Sequence, residues 1–229
     1  MIPEPYNKII KKNAYLLSSI NDENLSKFFE ECFNDYMKEL GLYACWICVK
    51  CMTNNILSFG YGKSPSVCPK CGKPSTYMVG TFQAWASKTG DIFEWAFYYL
   101  MVNIMKIPLI KSPSATETHD FEVPMKIGIE AKGSATYVKN PDGSIYSLGR
   151  AGMLRSDTKK KAFSNAKEFK RKKIGSYFYI ATNAMPNDLI GYKDRDIDGI
   201  FDVTKEDQLN KFVKELNARK AKGLPQFSQ

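Results

Sequence analysis

Two Cys-x-x-Cys pairs constrain the fold of this chain more than any other feature of its sequence. They are Cys48-Val-Lys-Cys51 and Cys68-Pro-Lys-Cys71, and sixteen residues separate them. Two such turns can present four thiolates to one tetrahedral ion, and this ligand set and spacing are typical of a structural Zn²⁺ site. The sequence therefore predicts a small zinc ribbon within residues 42–82.

A further cysteine leaves one half of this ligand set open. Cys45-Trp-Ile-Cys48 is also a Cys-x-x-Cys pair, so Cys45 could replace Cys51 as a ligand. We favour Cys48 and Cys51, because their turn contains a lysine as the second turn does. A redox dithiol explains the sequence less well, since it needs one pair and not two. The zinc either only folds the ribbon or also places its lysines against a nucleic acid.

The remaining composition is that of a basic globular protein. Of the 229 residues, 44% are hydrophobic, which is enough for a large core, and the net charge is +9. No apolar run reaches the roughly 18 residues that a membrane span needs. The N-terminus lacks the pattern of a secretory signal, so we expect a cytoplasmic protein with reduced thiols and no membrane partner.

Histidine occurs only at position 119, and this excludes several catalytic classes. Zinc peptidases with a His-Glu-x-x-His motif and His-Asn-His nucleases need at least two histidines. Any chemistry must therefore depend on carboxylates, lysine or cysteine. We interpret His119 as a structural or phosphate-contacting residue.

The positive charge is concentrated in two segments. Residues 42–82 contain 4 lysines and no acidic residue, and residues 133–175 contain 11 basic and 3 acidic residues. Such clustering is expected of a protein that binds a polyanion at two places, which makes double-stranded DNA the leading partner. The alternative is a solvated basic face without a partner.

The order of hydrophobic patterns predicts an α/β fold with a mixed central sheet flanked by helices. We expect an N-terminal helical segment (1–41), the ribbon (42–82) and a core (83–229). The predicted elements are two helices within 7–40, a helix at 91–105, strand structure within 119–132, a hairpin around 140–143, a helix at 156–173, a strand at 177–181 and a helix at 205–219. Ser156 or Asp157 is the expected cap of the helix at 156–173, and Thr204 is the expected cap of the helix at 205–219.

Three charged residues suggest the chemistry. Glu130 and Lys132 are two residues apart on a predicted strand, so their side chains project from the same face, and Asp120 could join them from an adjacent strand. Two carboxylates suit Mg²⁺, which polarises a phosphate, while a lysine positions or helps to deprotonate water. The pattern predicts Mg²⁺-dependent phosphodiester hydrolysis; a surface ladder of salt bridges is the structural alternative.

Over residues 90–181 the chain resembles the PD-(D/E)xK nuclease superfamily, particularly type II restriction endonucleases. The matching parts are Asp120, Glu130-x-Lys132 on a strand, a helix that opens at residues 90–94, the helix start at residues 155–160 and the strand at residues 177–181.

This resemblance implies a restriction-endonuclease-like fold and a role for each residue. Asp120 and Glu130 would ligate Mg²⁺, and Lys132 would position or help to deprotonate the attacking water. Glu94 would be an auxiliary ligand or orienting group. His119 stands where the family usually has proline, so Glu122 remains an alternative to Asp120 as the first acid.

Basic residues near the helix at 156–173 are the candidate DNA contacts. They are Arg150, Arg155, Lys159, Lys160, Lys161, Lys167 and Lys170. Lysines neutralise phosphates without selecting a sequence. Arg150, Arg155, Asn140 or Asn183 could instead contact base edges, since arginine suits guanine and asparagine suits adenine.

The leading hypothesis is a sequence-specific, Mg²⁺-dependent endonuclease of double-stranded DNA, that is, a type II restriction enzyme with a structural zinc ribbon. Cutting both strands favours a homodimer, because one active site cuts one strand. One alternative is a structure-specific nuclease of repair or recombination. Another is a zinc-ribbon DNA-binding protein without catalysis.

Overall fold

The structure is a computed structural model that describes residues 1–41, 45–48, 50–51, 54–56, 65–79, 82–113, 115–124, 126–140, 143 and 145–222. The helices are α1 (Tyr6–Asn13), α2 (Asp22–Glu39), α3 (Phe82–Tyr99), α4 (Ser156–Lys172) and α5 (Glu206–Lys222). The strands are β1 (Cys45–Cys48), β2 (Asn54–Ile56), β3 (Thr76–Val79), β4 (Ile110–Lys111), β5 (Phe121–Val123), β6 (Ile127–Lys132), β7 (Tyr137–Lys139), β8 (Ile145–Ser147), β9 (Tyr177–Thr182) and β10 (Gly199–Asp202).

A mixed five-stranded sheet forms the centre of the fold, in the order β10-β9-β6-β5-β4. Strands β4 and β5 and strands β5 and β6 pair antiparallel, whereas β9 is parallel to both β6 and β10. The predicted α/β class with a mixed sheet flanked by helices is therefore confirmed. Strands β1, β2 and β3 form a separate antiparallel sheet, and β7 and β8 form the predicted hairpin.

Strand β6 separates two packing layers, because its alternate residues face α3 and α4. On the α4 side, Gly128 lies under the ring of Phe169: a Cβ at Gly128 would lie 2.7 Å from the ring. On the α3 side, the buried Ile127 and Ile129 belong to the same core as Phe97, and Gly133 lies against the ring of Phe93. The absence of a side chain at Gly128 therefore leaves room for an aromatic ring.

The N-terminal helices share this core. The ring of Phe93 on α3 lies 5.1 Å from that of Phe29 and 6.4 Å from that of Phe33, both on α2. Helix α2 begins with a side-chain cap, since the Asn21 side chain accepts a hydrogen bond from the Asn24 N–H. The division of the chain at residues 41 and 82 stays a prediction, but α1 and α2 have no core of their own.

Several element boundaries differ from those predicted. Helix α3 begins at Phe82, so Gly90 lies inside it and does not open it, and the helix continues as a π-helical turn to Ile104. The segment at 119–132 contains two strands, β5 and β6, which pair antiparallel. The short strands β4 and β10 were not predicted.

The predicted caps of the last two helices also differ. Arg155 precedes α4 without a side-chain cap, and Ser156 is already helical. The Thr204 hydroxyl donates to Asp202 Oδ1 and does not cap α5. Residues 141, 142 and 144 of the predicted hairpin turn lie outside the described residues.

Within the described part of the chain, no helix is both long and apolar enough to cross a membrane.

Two glycine-to-alanine substitutions should change stability in opposite directions. Gly128→Ala places a methyl group against the Phe169 ring and should destabilise the protein by about 1–3 kcal/mol, the usual cost of overpacking. Gly90→Ala meets no atom closer than 3.8 Å in the interior of α3, and should stabilise it by up to about 1 kcal/mol through helix propensity. Urea unfolding measures both values. A Gly128→Ala variant as stable as the wild type would contradict this packing.

Candidate functional site

Asp120, Glu130 and Lys132 meet at one end of the β5–β6 pair. Lys132 Nζ contacts Glu130 Oε1 and lies 3.8 Å from Asp120 Oδ2. Strand pairing sets this geometry, because Phe121 is opposite Ile129 and the Asp120 N–H donates to the Ile129 carbonyl. Asp120 Oδ2 also accepts a 2.7 Å hydrogen bond from the Ala131 N–H. The three residues predicted to act together are thus neighbours.

Glu94 reaches the same place from α3 through a lysine that sequence reasoning missed. Lys111 Nζ lies 2.5 Å from Glu94 Oε2 and 4.0 Å from Asp120 Oδ1. Lys111 is the last residue of β4, a two-residue strand with no recognisable pattern. We refer to Glu94, Lys111, Asp120, Lys132 and Glu130 as the acid–lysine cluster, in which acids and lysines alternate in space.

Helix α4 contributes a second residue that was not predicted. Asn165 Nδ2 donates a 2.9 Å hydrogen bond to Glu130 Oε1, so the carboxylate is held from both the strand and the helix. In the sequence, Asn165 is one polar residue on a lysine-rich helix. Only the packing of α4 on β6 distinguishes it from its neighbours.

Burial of the acid–lysine cluster perturbs its acid–base chemistry. Glu130 is 2% exposed, and burial raises its pKa to about 7. Burial also raises the pKa of Glu94, and the nearby charge of Asp120 adds to this. For Lys132, burial lowers the pKa, but the charges of Glu130 and Asp120 outweigh it and the net shift is upward.

A buried network of charges is a poor source of stability, because desolvation of the ions offsets their attraction. Strongly perturbed ionisable groups concentrate at functional sites, particularly beside clefts. The acid–lysine cluster is therefore a candidate active site and not an ordinary surface ladder of salt bridges.

Glu122, the alternative first acid, belongs to a different group of residues. It lies 2.8 Å from His119 Nε2 and pairs with Lys173 at the end of α4. The His119 ring is buried and packs edge-on against Phe169 at 4.8 Å. Burial lowers the pKa of His119, which favours the neutral form. We therefore assign His119 a structural role and keep Asp120 as the acid of the candidate site.

A cleft of about 340 Å³ opens beside the cluster. Glu94, Lys132 and the backbone of residues 131–134 form one wall, and residues at the start of α4, among them Arg155 and Lys161, form the other. The two walls meet at Gly152, whose φ is +47°. A Cβ added at this position would lie 3.0 Å from the Lys132 carbonyl oxygen, so the two backbones approach closely there. The Gly152 N–H also donates to Ser134 Oγ at 3.0 Å.

The predicted DNA contacts differ in their surroundings. Arg155 and Lys161 line the cleft, and Arg150, Lys160 and Lys167 are exposed. Lys159 pairs with Asp188 at 2.7 Å near the surface.

Three residues proposed for DNA contact have structural partners instead. Lys170 Nζ lies 2.6 Å from Asp198 Oδ2 and donates to the Ser176 carbonyl at 2.7 Å, so it ties α4 to the sheet. Asn183 exchanges two hydrogen bonds with the backbone of Ser134, and Asn140 is buried. We do not retain these three residues as candidate contacts.

The four predicted cysteines lie together. The Sγ atoms of Cys48, Cys51, Cys68 and Cys71 are all within 4.8 Å of one another, and they could hold a metal ion. Cys48 to Cys71 and Cys51 to Cys68 are each 3.7 Å between sulfurs. The side chain of Cys45, the alternative ligand, lies outside the described part of the structure.

Comparison of the chain with protein-family models, with curated proteins and with solved structures found no match. The acid–lysine cluster and the four cysteines are therefore the features from which a function can be inferred.

Proposed function

We propose that this chain is a Mg²⁺-dependent endonuclease of the PD-(D/E)xK type that hydrolyses double-stranded DNA. One observation carries the proposal: Asp120 and Glu130 both contact the ammonium of Lys132 beside an open cleft. The order of elements, with α3 before the antiparallel strands, then α4 and the parallel strand β9, agrees with the restriction-endonuclease-like core that the resemblance implies.

The chemistry of the donors fits Mg²⁺. Magnesium prefers hard oxygen ligands and is usually held by one or two carboxylates, with waters and phosphate oxygens completing its shell. Asp120 and Glu130 supply two carboxylates. Among the described residues, the cysteines are the only group of three or more close metal-ligating atoms, so a Mg²⁺ ion at Asp120 and Glu130 would take its remaining ligands from water and phosphate. When bound, the ion would polarise the phosphate and activate water.

The side chains around the acids would prepare this site. The Ala131 N–H and Asn165 each fix one carboxylate oxygen, which orients Asp120 and Glu130 before substrate binds. As an ammonium on the wall of the cleft, Lys132 can orient the attacking water and offset negative charge on the phosphate. Such positioned charges contribute most where water is excluded.

The charge distribution supports DNA as the substrate. Arg155 and Lys161 face the acid–lysine cluster across the cleft, where they can contact phosphates on either side of the cut. Lys160 and Lys167 extend this basic surface along α4. Neutralised phosphates release counterions, which gives affinity without sequence choice.

We further propose the type II restriction activity that the resemblance implies, with a homodimer as the cutting unit. The described residues contain one acid–lysine cluster, and one such site cuts one strand. Two copies related by a two-fold axis would cut both strands of a palindromic site. Discrete fragments from DNA of known sequence support this reading, whereas cleavage that requires a branched substrate supports a repair nuclease.

We also propose that the four cysteines bind Zn²⁺. A tetrahedral ion with four thiolates stabilises a short three-stranded sheet that could bury little apolar surface by itself. The exposed Lys70 and Lys73 beside the second pair could contact DNA backbone.

Removing the charge of Lys132 or Glu130 should slow cleavage strongly while the protein still folds. We expect Lys132→Ala and Glu130→Gln to slow Mg²⁺-dependent plasmid cleavage by roughly 10²–10⁴-fold, the usual contribution of a positioned catalytic group. Initial rates of nicking, with EDTA as the blank, measure this effect.

The matched controls are Lys211→Ala on α5 and Glu39→Gln at the end of α2, both at exposed positions. They should cleave at the wild-type rate. Wild-type rates in both cluster variants would contradict the assignment. A wild type that binds DNA and never cleaves it would favour a DNA-binding protein without catalysis.

Two lysines of α4 should differ in their effect on DNA binding. Lys161→Ala should lower the salt dependence of DNA binding, because a phosphate contact is lost. The slope of the logarithm of the association constant against the logarithm of the salt concentration should decrease in magnitude by about 1. Lys170→Ala should leave that slope unchanged and instead lower the melting temperature, because Asp198 loses its partner. Binding in Ca²⁺, which prevents cleavage, at four salt concentrations distinguishes the two. A reduced slope in Lys170→Ala alone would reverse the two assignments.

The purified chain should contain about one zinc ion per chain. Cys71→Ser should lose this zinc, because three thiolates hold the ion far more weakly, whereas Cys45→Ser should retain it. Elemental analysis after dialysis measures the metal content. If Cys45→Ser loses the zinc and Cys51→Ser keeps it, the alternative ligand set is correct.

A further inference from the structure

Lys111 is a half-buried cation that neither the sequence pattern nor the proposed reaction uses. We infer that Lys111 takes the place of a second divalent ion, so that the candidate active site binds one Mg²⁺ and not two. This inference rests on the proposed function and specifies its metal stoichiometry.

The acid–lysine cluster contains two overlapping carboxylate pairs. Asp120 and Glu130 form one pair around Lys132, and Asp120 and Glu94 form the other around Lys111. Asp120 is common to both pairs, with Oδ2 toward Lys132 and Oδ1 toward Lys111. A divalent ion in place of each ammonium would give the arrangement of two-metal nucleases, in which the two ions lie about 4 Å apart.

The two lysines differ in how easily their ammonium groups can move away from the carboxylates. Lys132 lines the cleft, so its ammonium can turn toward substrate when a metal ion binds between Asp120 and Glu130. Lys111 is not among the residues that line the cleft, and its Nζ lies 4.6 Å from the centre of the Phe121 ring and 5.7 Å from that of Trp95. Cation–π contacts of this kind hold an ammonium in place.

The backbone also fixes Lys111. Strand β4 pairs with β5 so that Lys111 is opposite Phe121, and the next N–H, that of Ser112, donates to the Asp120 carbonyl at 2.9 Å. Backbone pairing therefore holds Lys111 next to Asp120, whose negative charge attracts its ammonium. A divalent ion between Glu94 and Asp120 would meet a fixed ammonium, and like charges at this distance repel strongly away from bulk water.

Counting bound Mn²⁺ tests this inference. Zinc-loaded wild-type protein is titrated with Mn²⁺, and free Mn²⁺ is measured by electron paramagnetic resonance. Binding to Asp120→Asn, which lacks the shared acid, is subtracted to remove sites elsewhere on the surface. We expect one ion per chain in the wild type and two in Lys111→Met, because loss of the ammonium leaves Glu94 and Asp120 as a free carboxylate pair. Two adjacent ions should also give a spin-coupled spectrum.

Two further variants test whether the charge of Lys111 and the carboxylate of Glu94 determine the number of bound ions. Lys111→Arg keeps the charge and should bind one ion, and Lys111→Met combined with Glu94→Gln should return the count from two to one. Should Lys111→Met lose its native circular dichroism, Lys111→Gln replaces it in the same titration.

Each count has a defined meaning. Two ions in the wild type, or one ion in a folded Lys111→Met, would overturn the inference. Either result accompanied by Mg²⁺-dependent cleavage leaves the proposed nuclease intact. A wild-type count of zero without any DNA cleavage would remove the proposed function together with the inference.

Discussion

The pairing of β5 with β6 is the constraint on which the candidate site depends. Its register continues to Asp120 opposite Glu130, and the hydrogen bond from the Ala131 N–H to Asp120 Oδ2 then fixes a carboxylate beside Glu130 and Lys132. A shift of one residue would turn Glu130 and Lys132 toward the aromatic core of α3, since side chains alternate along a strand. The aromatic packing of Phe169 on Gly128 and of Phe93 on Gly133 opposes such a shift, so the core on both faces of β6 also determines the chemistry.

Periodicity and spacing predicted the parts of this arrangement that are local in the chain. Glu130 and Lys132 share a face because they are two residues apart, and the cysteines meet because two short turns bring them together. The partners that come from distant segments could not be predicted in this way. Lys111 lies on a two-residue strand whose existence depends on pairing with β5, and Asn165 acquires its role only when α4 packs on β6. Lys170 and Asn183 have the side-chain chemistry of DNA contacts, yet tertiary partners occupy them.

The acid–lysine cluster places five ionisable groups where an apolar cluster would stabilise the fold at least as well. The surrounding structure offsets this cost. Aromatic side chains pack closely on the α3 side of β6, and two ion pairs, those of Lys170 with Asp198 and of Lys173 with Glu122, attach the C-terminal half of α4 to the sheet. The cleft lies at the other end of α4, where its first turn and the residues before it carry the basic wall.

Gly152 has a consequence for how a long, stiff substrate could enter. Its close approach to the Lys132 carbonyl and its hydrogen bond to Ser134 tie the two walls of the cleft together. Widening the cleft would break this hydrogen bond, so the DNA duplex that we propose as substrate would have to adapt to the protein. Distortion of a double helix costs less at pyrimidine–purine steps than within stiff A-tracts. Base-step flexibility would then bias where the proposed nuclease engages DNA, even at positions that no side chain touches.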